Sequence, residues 1–392
     1  MDLSAEDDTY EQLEMFTTVL SRLKAEYVEN PDLEQGINGA LLGMIEAIDP
    51  FSSFVEKEIF SVLSDREESE ASPGLILSKK YGYAYVVSVF PGSSADKLGL
   101  RTGDILESVE NKVTTVMSLW EARNRLRGSQ GTDVTIRVVR PRRSQPTKMV
   151  LKRELIEPGE VQATLIDDGI GLLSVPNFSY GVSEKVRSKI GLLLSMDVQG
   201  ILVDLRGNST GVITEAVRVA DLFLEQDKLI AKVVTREATH EEFRSVEKNM
   251  IGNRFLGLLI NGGTSGPAEL FSAALMDNKD VVSVGLRTNG HGSIQEKFEI
   301  GEGSVVFLGT RLIMRPNGKP LKGKTDNSSG LLPRTRSPRQ NFITNFYFEN
   351  AVDEMGEDKL ERFYQELDKA IGQEQLEAGL EEMRKGILKK AA

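Results

Sequence analysis

The chain has 392 residues, of which 40% are hydrophobic and 27% are charged, as expected for a globular protein of two or three domains. Its formal net charge of −11 disfavours a nucleic-acid partner, because phosphate backbones repel an acidic surface. Without cysteine it can form neither disulfide bonds nor thiolate metal sites, and its two histidines, His240 and His291, lie far apart in sequence. We therefore expect no metal and no cofactor.

The N-terminal part, residues 1–70, is predicted to be helical. Two helices are expected at residues 9–29 and 33–48, separated by Pro31, which restricts the residue before it. The first helix carries a regular apolar stripe, formed by Leu13, Phe16, Leu20 and Leu23. A charged linker is predicted to follow at Ser64 to Glu70.

Residues 71–155 are predicted to form a β-rich module around one helix. Apolar and β-branched residues are concentrated at residues 74–77, 83–89 and 132–139, which are therefore expected to be strands. A helix is predicted at residues 114–127, with an apolar stripe of Leu119, Ala122 and Leu126 that ends before Gly128.

In residues 156–340, apolar strands alternate with helices. The predicted strands are 170–175, 200–205, 255–260 and 281–285, and the predicted helices are 181–196, 212–224 and 267–276. This alternation is typical of an α/β layer with a largely parallel sheet, whose ligands bind beyond the carboxyl ends of the strands. Two loops, Asn208–Gly211 and Asn261–Gly266, follow such ends.

Residues 341–392 are predicted to be a charged helical arm that serves for packing or oligomerisation. Its apolar stripes are Leu360, Phe363, Tyr364, Leu367 and Ile371, followed by Leu376, Leu380, Met383 and Leu388. The predicted fold class is thus mixed α/β, with a β-rich module, an α/β core, and helical N- and C-terminal regions.

Four motifs, in order and at similar spacing, resemble those of the carboxyl-terminal processing (tail-specific) serine peptidases. Asp49–Phe54 resembles that family's Asp-Pro-His-Ser-Ser-Tyr, and Pro91–Lys112 resembles the core of a PDZ module. Ile201–Gly211 resembles its strand and turn Leu-Asp-Leu-Arg-Asn-Asn-Pro-Gly-Gly, and Asn261–Gln295 resembles the segment with its nucleophile and base. An ordered set is much stronger evidence than one motif alone, and it implies a PDZ domain at residues 71–155 before a peptidase-like core at residues 156–340.

The reacting residues of that family are missing from this chain. The resemblance places the nucleophilic serine at Gly266 and the lysine base at His291, 25 residues later (291 − 266 = 25), while the supporting glutamine remains as Gln295. Glycine has no side chain that could attack a peptide bond, and a histidine does not supply the desolvated amine that such a dyad uses.

The family's two oxyanion donors are altered as well. One lies in its Pro-Gly-Gly turn, which reads Ser209-Thr210-Gly211 here, so that Thr210 replaces the first glycine and only Gly211 is retained. The other is the backbone N–H after the nucleophile, and Pro267 has no N–H.

Three interpretations remain open. The chain can be an inactive relative of these peptidases, or an active serine endopeptidase in which Ser265 and His291 form a shifted pair, or a purely structural oligomeric scaffold. In the second case Ser265 would lie in a glycine-rich turn, without an evident third catalytic group.

The PDZ module is expected to bind unfolded polypeptide C-termini or a partner protein. PDZ domains add an extended C-terminus as a strand beside one helix. The residues predicted to form that groove are Gly74, Leu75, Ile76 and Leu77 on the strand side and Leu119, Ala122 and Leu126 on the helix side.

The resemblance also implies a homo-oligomer and a location in the periplasm or elsewhere outside the cytoplasm. Residues 1–8 are acidic and do not look like a signal peptide. Either an export signal has been removed, or the protein stays in the cytoplasm.

Overall fold

The computed structural model describes residues 3–67, 71–140, 145–157, 159–167, 169–301, 303–323, 329–336 and 357–391. The helices are α1 Leu3–Glu26, α2 Leu33–Ile48, α3 Lys57–Glu67, α4 Ser94–Lys97, α5 Leu119–Leu126, α6 Val182–Ser195, α7 Ile213–Asp221, α8 Pro267–Asn278 and α9 Glu357–Ala391. The strands before residue 160 are β1 Ser53–Val55, β2 Ala71–Ser72, β3 Leu75–Lys80, β4 Tyr83–Val89, β5 Ile105–Val109, β6 Lys112–Val113, β7 Asp133–Val139, β8 Thr147–Lys152 and β9 Glu154–Leu155. The later strands are β10 Gln162–Asp167, β11 Ile170–Ser174, β12 Gly200–Asp204, β13 Leu229–Val234, β14 Thr239–Arg244, β15 Phe255–Ile260, β16 Val281–Gly285, β17 Ser293–Ile300, β18 Ser304–Met314 and β19 Thr335–Arg336.

The central sheet has the strand order β10-β11-β12-β15-β16-β19. Its pairs from β11 to β19 are parallel, and β10 is an antiparallel edge strand. Helices α6, α7 and α8 cover one face, and α9 covers the other, where Leu380 and Met383 are buried against Leu202 and Leu259. Strands buried on both faces explain the continuous apolar runs, and the predicted α/β layer is confirmed.

The loops that follow β12 and β15 meet at one edge of this sheet. The backbone N–H of Ser265 donates to the carbonyl of Asn208 over 2.9 Å, and the Thr264 hydroxyl donates to the carbonyl of Leu205 over 2.8 Å. Parallel strands bring their carboxyl ends together, so that both sequence motifs lie side by side.

The β-rich module is a sheet of β3-β4-β5-β7-β8, with β6 paired to β5 and α5 packed across β3. Its core contains Leu77, Val86, Leu106 and Ile136, all at most 1% exposed. The helix predicted at residues 114–127 is shorter than expected. Thr114–Val116 forms a 3₁₀ turn, and α5 begins after Ser118, whose hydroxyl accepts from the N–H of Glu121 and so caps the helix.

A second, antiparallel sheet joins the N-terminal region to the core, with the order β1-β18-β13-β14 and β17 paired to β18. Helix α2 packs on it through Ile45, which contacts the cluster of Phe54 and Val306. The linker predicted from Ser64 is wrong as far as Glu67, because those residues continue α3, whose Leu63 is 2% exposed against Trp120. Residues 68–70 lie outside the described part.

The two terminal helices differ in how their apolar stripes are covered. On α1, Leu13, Phe16 and Leu23 are between 39% and 54% exposed. On α9, Leu380 and Met383 pack on the central sheet, so this part of the predicted stripe is used within the chain, whereas Leu388 is exposed. Residues 341–356 and the side chains of Leu360, Phe363, Tyr364 and Leu367 lie outside the described part.

Within the described ranges, no helix combines the length and apolar character needed to cross a membrane. Nor do those ranges contain a group of three or more histidine, aspartate or glutamate side chains placed to hold a metal ion.

Candidate active site

Gly266 lies at the N-terminus of α8, in a backbone conformation that other residues adopt only with strain. Its φ is 57° and its ψ is −115°. A strained turn between strand and helix is the conformation in which several hydrolase folds present their nucleophile. A Cβ atom built on Gly266 would lie 4.0 Å from Nδ1 of His291. The two positions that the sequence places 25 residues apart are therefore neighbours.

The imidazole of His291 is stacked on the ring of Phe51, with 4.3 Å between the centroids and an angle of 11° between the planes. Burial lowers the pKa of His291 to about 4, and the positive charge of Arg123 acts in the same direction. The ring is consequently neutral at neutral pH. Gln295 supports this arrangement indirectly, since its side-chain amide donates to the carbonyl of Phe51.

The carboxylate of Glu269 ties the Gly266 turn to the His291 turn. It accepts the N–H of Gly266 at 2.9 Å, of Gly290 at 2.6 Å and of His291 at 2.8 Å, and also the hydroxyl of Thr288. Glu269 is fully buried, and burial raises its pKa to about 6 although these hydrogen bonds favour the charged form. One side chain thus fixes the geometry of both loops.

Ser265 is 3% exposed, and its hydroxyl accepts from Nδ2 of Asn289 over 3.0 Å. The other end of that amide, Oδ1, accepts from the hydroxyl of Tyr85 over 2.7 Å. Among the described hydrogen bonds of Ser265, none joins it to the imidazole of His291. The shifted pair predicted as an alternative is therefore close in space but is not hydrogen-bonded in this structure.

The oxyanion-equivalent residues lie next to these loops. Pro267 is in the first turn of α8, where the N–H of another residue would point out of the helix end. Proline has no N–H to offer there. The carbonyl of Thr210 accepts from the N–H of Phe178 over 2.9 Å, and Gly211 has a φ of 122°. Thr210 has a backbone N–H, as every residue other than proline does. It is not among the described residues with positive φ, so its backbone does not need glycine.

The groove of the β-rich module opens directly onto this site, in a cavity of about 220 Å³. Of the residues predicted for the groove, Leu75, Ile76, Leu77 and Leu126 line this cavity, and Leu75, Leu77 and Leu126 also belong to the core of the module. Leu119 and Ala122, each 1% exposed, lie in that core. Arg123 also lines the cavity and was not predicted. The other lining residues are Ser72, Val87, Phe90, Arg127, Ser209, Ser265, Asn289 and His291.

The loop that leads into β3 is shaped by Gly74. Its φ is 86°, and a Cβ atom there would lie 2.3 Å from Cβ of Ser93, so the loop can form only with glycine at this position. The N–H of Gly74 donates to the hydroxyl of Ser72 over 3.3 Å.

Comparison with known proteins agrees with this geometry. Residues 169–333 match peptidase family S41, and residues 85–140 match the PDZ domain. The chain is 27% identical over 323 residues to a carboxy-terminal-processing protease of Bartonella bacilliformis, covering 81% of this chain and 74% of that one. It is 26% identical over 318 residues to the carboxy-terminal processing protease CtpA of Bacillus subtilis, covering 81% and 67%.

A solved structure has the same fold. The photosystem II D1 C-terminal processing protease superposes with a TM-score of 0.67 at 22% identity, covering 82% of this chain and 86% of the other. This likeness shows that the two chains share a fold. The chain thus carries a PDZ domain followed by a peptidase family S41 region, and over most of its length it is similar to carboxy-terminal processing proteases.

Proposed function

We propose that this chain is a peptidase-family protein that does not hydrolyse peptide bonds and that binds protein C-termini or a partner protein through its PDZ groove. The observation that carries the proposal is the pair Gly266 and Pro267 at the start of α8. Gly266 has no nucleophile at the position facing His291, and Pro267 has no N–H for an oxyanion.

The neighbouring groups do not compensate for these losses. His291 is neutral at neutral pH, but a pKa of about 4 makes it a weak base. The hydroxyl of Ser265 is hydrogen-bonded to the side chain of Asn289, which in turn accepts a hydrogen bond from the hydroxyl of Tyr85. A serine hydrolase needs nucleophile, base and oxyanion donors in mutual reach, and here each of the three is altered.

We expect no cleavage when the protein is incubated with unfolded casein, and no covalent labelling by a fluorophosphonate probe. Gel analysis and mass spectrometry of the intact protein would measure both. A protein that cleaves casein and loses this activity on Ser265→Ala, but not on the neighbouring Thr264→Ser, would establish the rival assignment to Ser265 and His291.

We expect the groove between β3 and α5 to bind peptides that end in a free carboxylate and an apolar residue, with a Kd of about micromolar. The apolar lining by Leu75, Ile76 and Leu126 supports this expectation. Fluorescence anisotropy with a labelled octapeptide would measure the affinity, and amidation of its C-terminus should weaken binding. Equal affinity for amidated and free peptides would favour a purely structural role of the module.

We also expect the protein to be at least a dimer, held through α1. Leu13, Phe16, Leu20 and Leu23 recur at alternating steps of three and four residues, as in a coiled-coil seam, and most of this stripe is exposed in the single chain. Light scattering should therefore give a mass above that of one 43.3 kDa chain at micromolar concentration.

Replacing Phe16 and Leu23 together by glutamate should return the mass to that of a monomer, since charges in the seam would repel. Thr18→Glu, on an exposed position off the seam, serves as the control and should leave the mass unchanged. A monomeric unmodified protein would contradict this prediction. Location outside the cytoplasm, which the family resemblance implies, is part of the same proposal.

A further inference from the structure

Arg123 lies in the PDZ groove, and its guanidinium is hydrogen-bonded to the backbone of the strand to which a ligand would bind. Its Nε and Nη2 atoms donate to the carbonyl of Leu77 over 3.2 and 2.7 Å. Leu77 belongs to β3, the strand beside which PDZ ligands add. Because this carbonyl is bonded to a residue of α5, it points into the groove and not toward β4.

Arg123 is a cation without an anionic partner in the described part of the chain. The ion pairs of that part include the nearby Arg125 with Glu121, but none includes Arg123. Burial lowers the pKa of Arg123 to about 10, and the nearby charge of Arg127 acts in the same direction. Among the described residues that line the cavity in front of it are both arginines and no carboxylate. A half-buried charge of this kind is unfavourable until an anion pairs with it.

Binding of a peptide strand would make the unpaired charge of Arg123 more unfavourable unless the peptide supplies an anion. The incoming strand needs the carbonyl of Leu77 as an acceptor, so it displaces the guanidinium from that oxygen. The displaced Arg123 would then keep its charge inside the cavity and lose its acceptor. A ligand carboxylate at the same level would take over the released donors as a charge-assisted pair.

We propose that Arg123 makes the PDZ groove selective for C-terminal peptides with an acidic side chain two residues before the terminal residue. This inference rests on the proposed binding function of the groove. A ligand added antiparallel to β3 places its terminal residue beside Leu75 and its third-last residue beside Leu77, about 6.6 Å further along. Side chains alternate along a strand, so these two ligand side chains share the face that looks toward α5.

The terminal carboxylate of the peptide does not satisfy Arg123 in this arrangement. It lies at the loop around Gly74, about two residues away from the level of Leu77. The two acidic groups of the ligand thus have separate partners, and their contributions can be measured separately. Because the chain has a net charge of −11, any attraction of an acidic peptide has to come from local cations such as Arg123.

The test uses the full chain and labelled octapeptides that differ only at the third-last residue, ending in Glu-Ala-Leu, Gln-Ala-Leu or Lys-Ala-Leu. Fluorescence anisotropy at low and moderate salt should show the glutamate peptide binding about tenfold or more tightly than the glutamine peptide, with the lysine peptide weakest. An amidated Glu-Ala-Leu peptide should lose affinity but keep its preference over the amidated glutamine peptide.

In the Arg123→Leu variant the three peptides should bind within about twofold of one another, and in Arg123→Glu the lysine peptide should bind best. Arg127→Gln is the matched control, because it removes the same charge from the same cavity and leaves Arg123 with its hydrogen bonds to Leu77, and it should keep the preference. A uniform loss of affinity for all three peptides in Arg123→Leu, with their ratios unchanged, would show a structural role and overturn the inference. Peptides that bind the unmodified protein without preference would overturn the inference alone, whereas no binding of any peptide would overturn the proposed function with it.

Discussion

Replacing Glu269 by leucine should lower the free energy of unfolding by about 4 kcal/mol or more. Four buried donors converge on this carboxylate, from Gly266, Thr288, Gly290 and His291. Leucine has a similar volume but accepts no hydrogen bond, and each buried donor that loses its acceptor costs about 1–3 kcal/mol. Urea denaturation followed by circular dichroism would measure the loss as a lower midpoint.

Two further variants define the cause. Glu269→Gln keeps one oxygen but turns an NH₂ group toward two donors, so it should lose about half as much stability as Glu269→Leu. Glu237→Gln, in an exposed turn, should change the free energy of unfolding by less than about 0.5 kcal/mol. If Glu269→Leu unfolds at the same urea concentration as the unmodified protein, the two loops are not held by this carboxylate.

The central sheet and the PDZ domain could be predicted from the sequence because their signals are strong and local. Strands such as β12 and β15 are buried on both faces, so they appear as continuous apolar runs bounded by glycine and polar residues. The helix α2 was predicted with its observed bounds because Pro31 separates it from the helix before it, and in the structure Asp32 caps it.

The antiparallel sheet was missed because its strands have weak local signals. β17 reads SIQEKFEI and is exposed at four of its eight residues, and β14 reads THEEFR, so charged residues interrupt the alternation that would predict a strand. The sheet also joins segments far apart in the chain, since Phe54 of β1 pairs with Val306 of β18. The helix α3 was partly taken for a linker, because its charged residues conceal the single buried Leu63.

For the site, the sequence predicted which positions face each other but not what holds them. The neighbourhood of Gly266 and His291 agrees with the family spacing. The role of Glu269 could have been found, since an acidic residue three positions after a helix N-cap is the signature of a capping box. The stack of Phe51 on His291 and the bond from Arg123 to Leu77 depend on tertiary packing, so no local pattern indicates them.

Restoring the dyad by Gly266→Ser with His291→Lys should give only weak peptidase activity. The surroundings favour the new base, because the burial that lowers the pKa of His291 would also lower that of a lysine and so provide the neutral amine. The serine, however, would adopt the strained backbone of Gly266, at a cost of about 1–3 kcal/mol in stability. The oxyanion would still lack the donor at Pro267.

Adding Pro267→Ala to the two dyad substitutions should raise the rate of casein cleavage by about a hundred- to thousand-fold, the usual effect of one oxyanion donor. The first turn of a helix uses none of its N–H groups in intrahelical hydrogen bonds. Alanine at position 267 can therefore offer its N–H to the oxyanion without disturbing α8. Adding Thr210→Gly should contribute far less, because Thr210 already has an N–H and no positive φ.

The rates should be compared at equal fractions of folded protein, since Gly266→Ser is expected to destabilise the chain. The variant with alanine at position 266 in place of serine, and otherwise identical, is the control and should be inactive. If Pro267→Ala gives no increase while Thr210→Gly does, the dominant oxyanion donor lies in the turn after β12 and not at the start of α8.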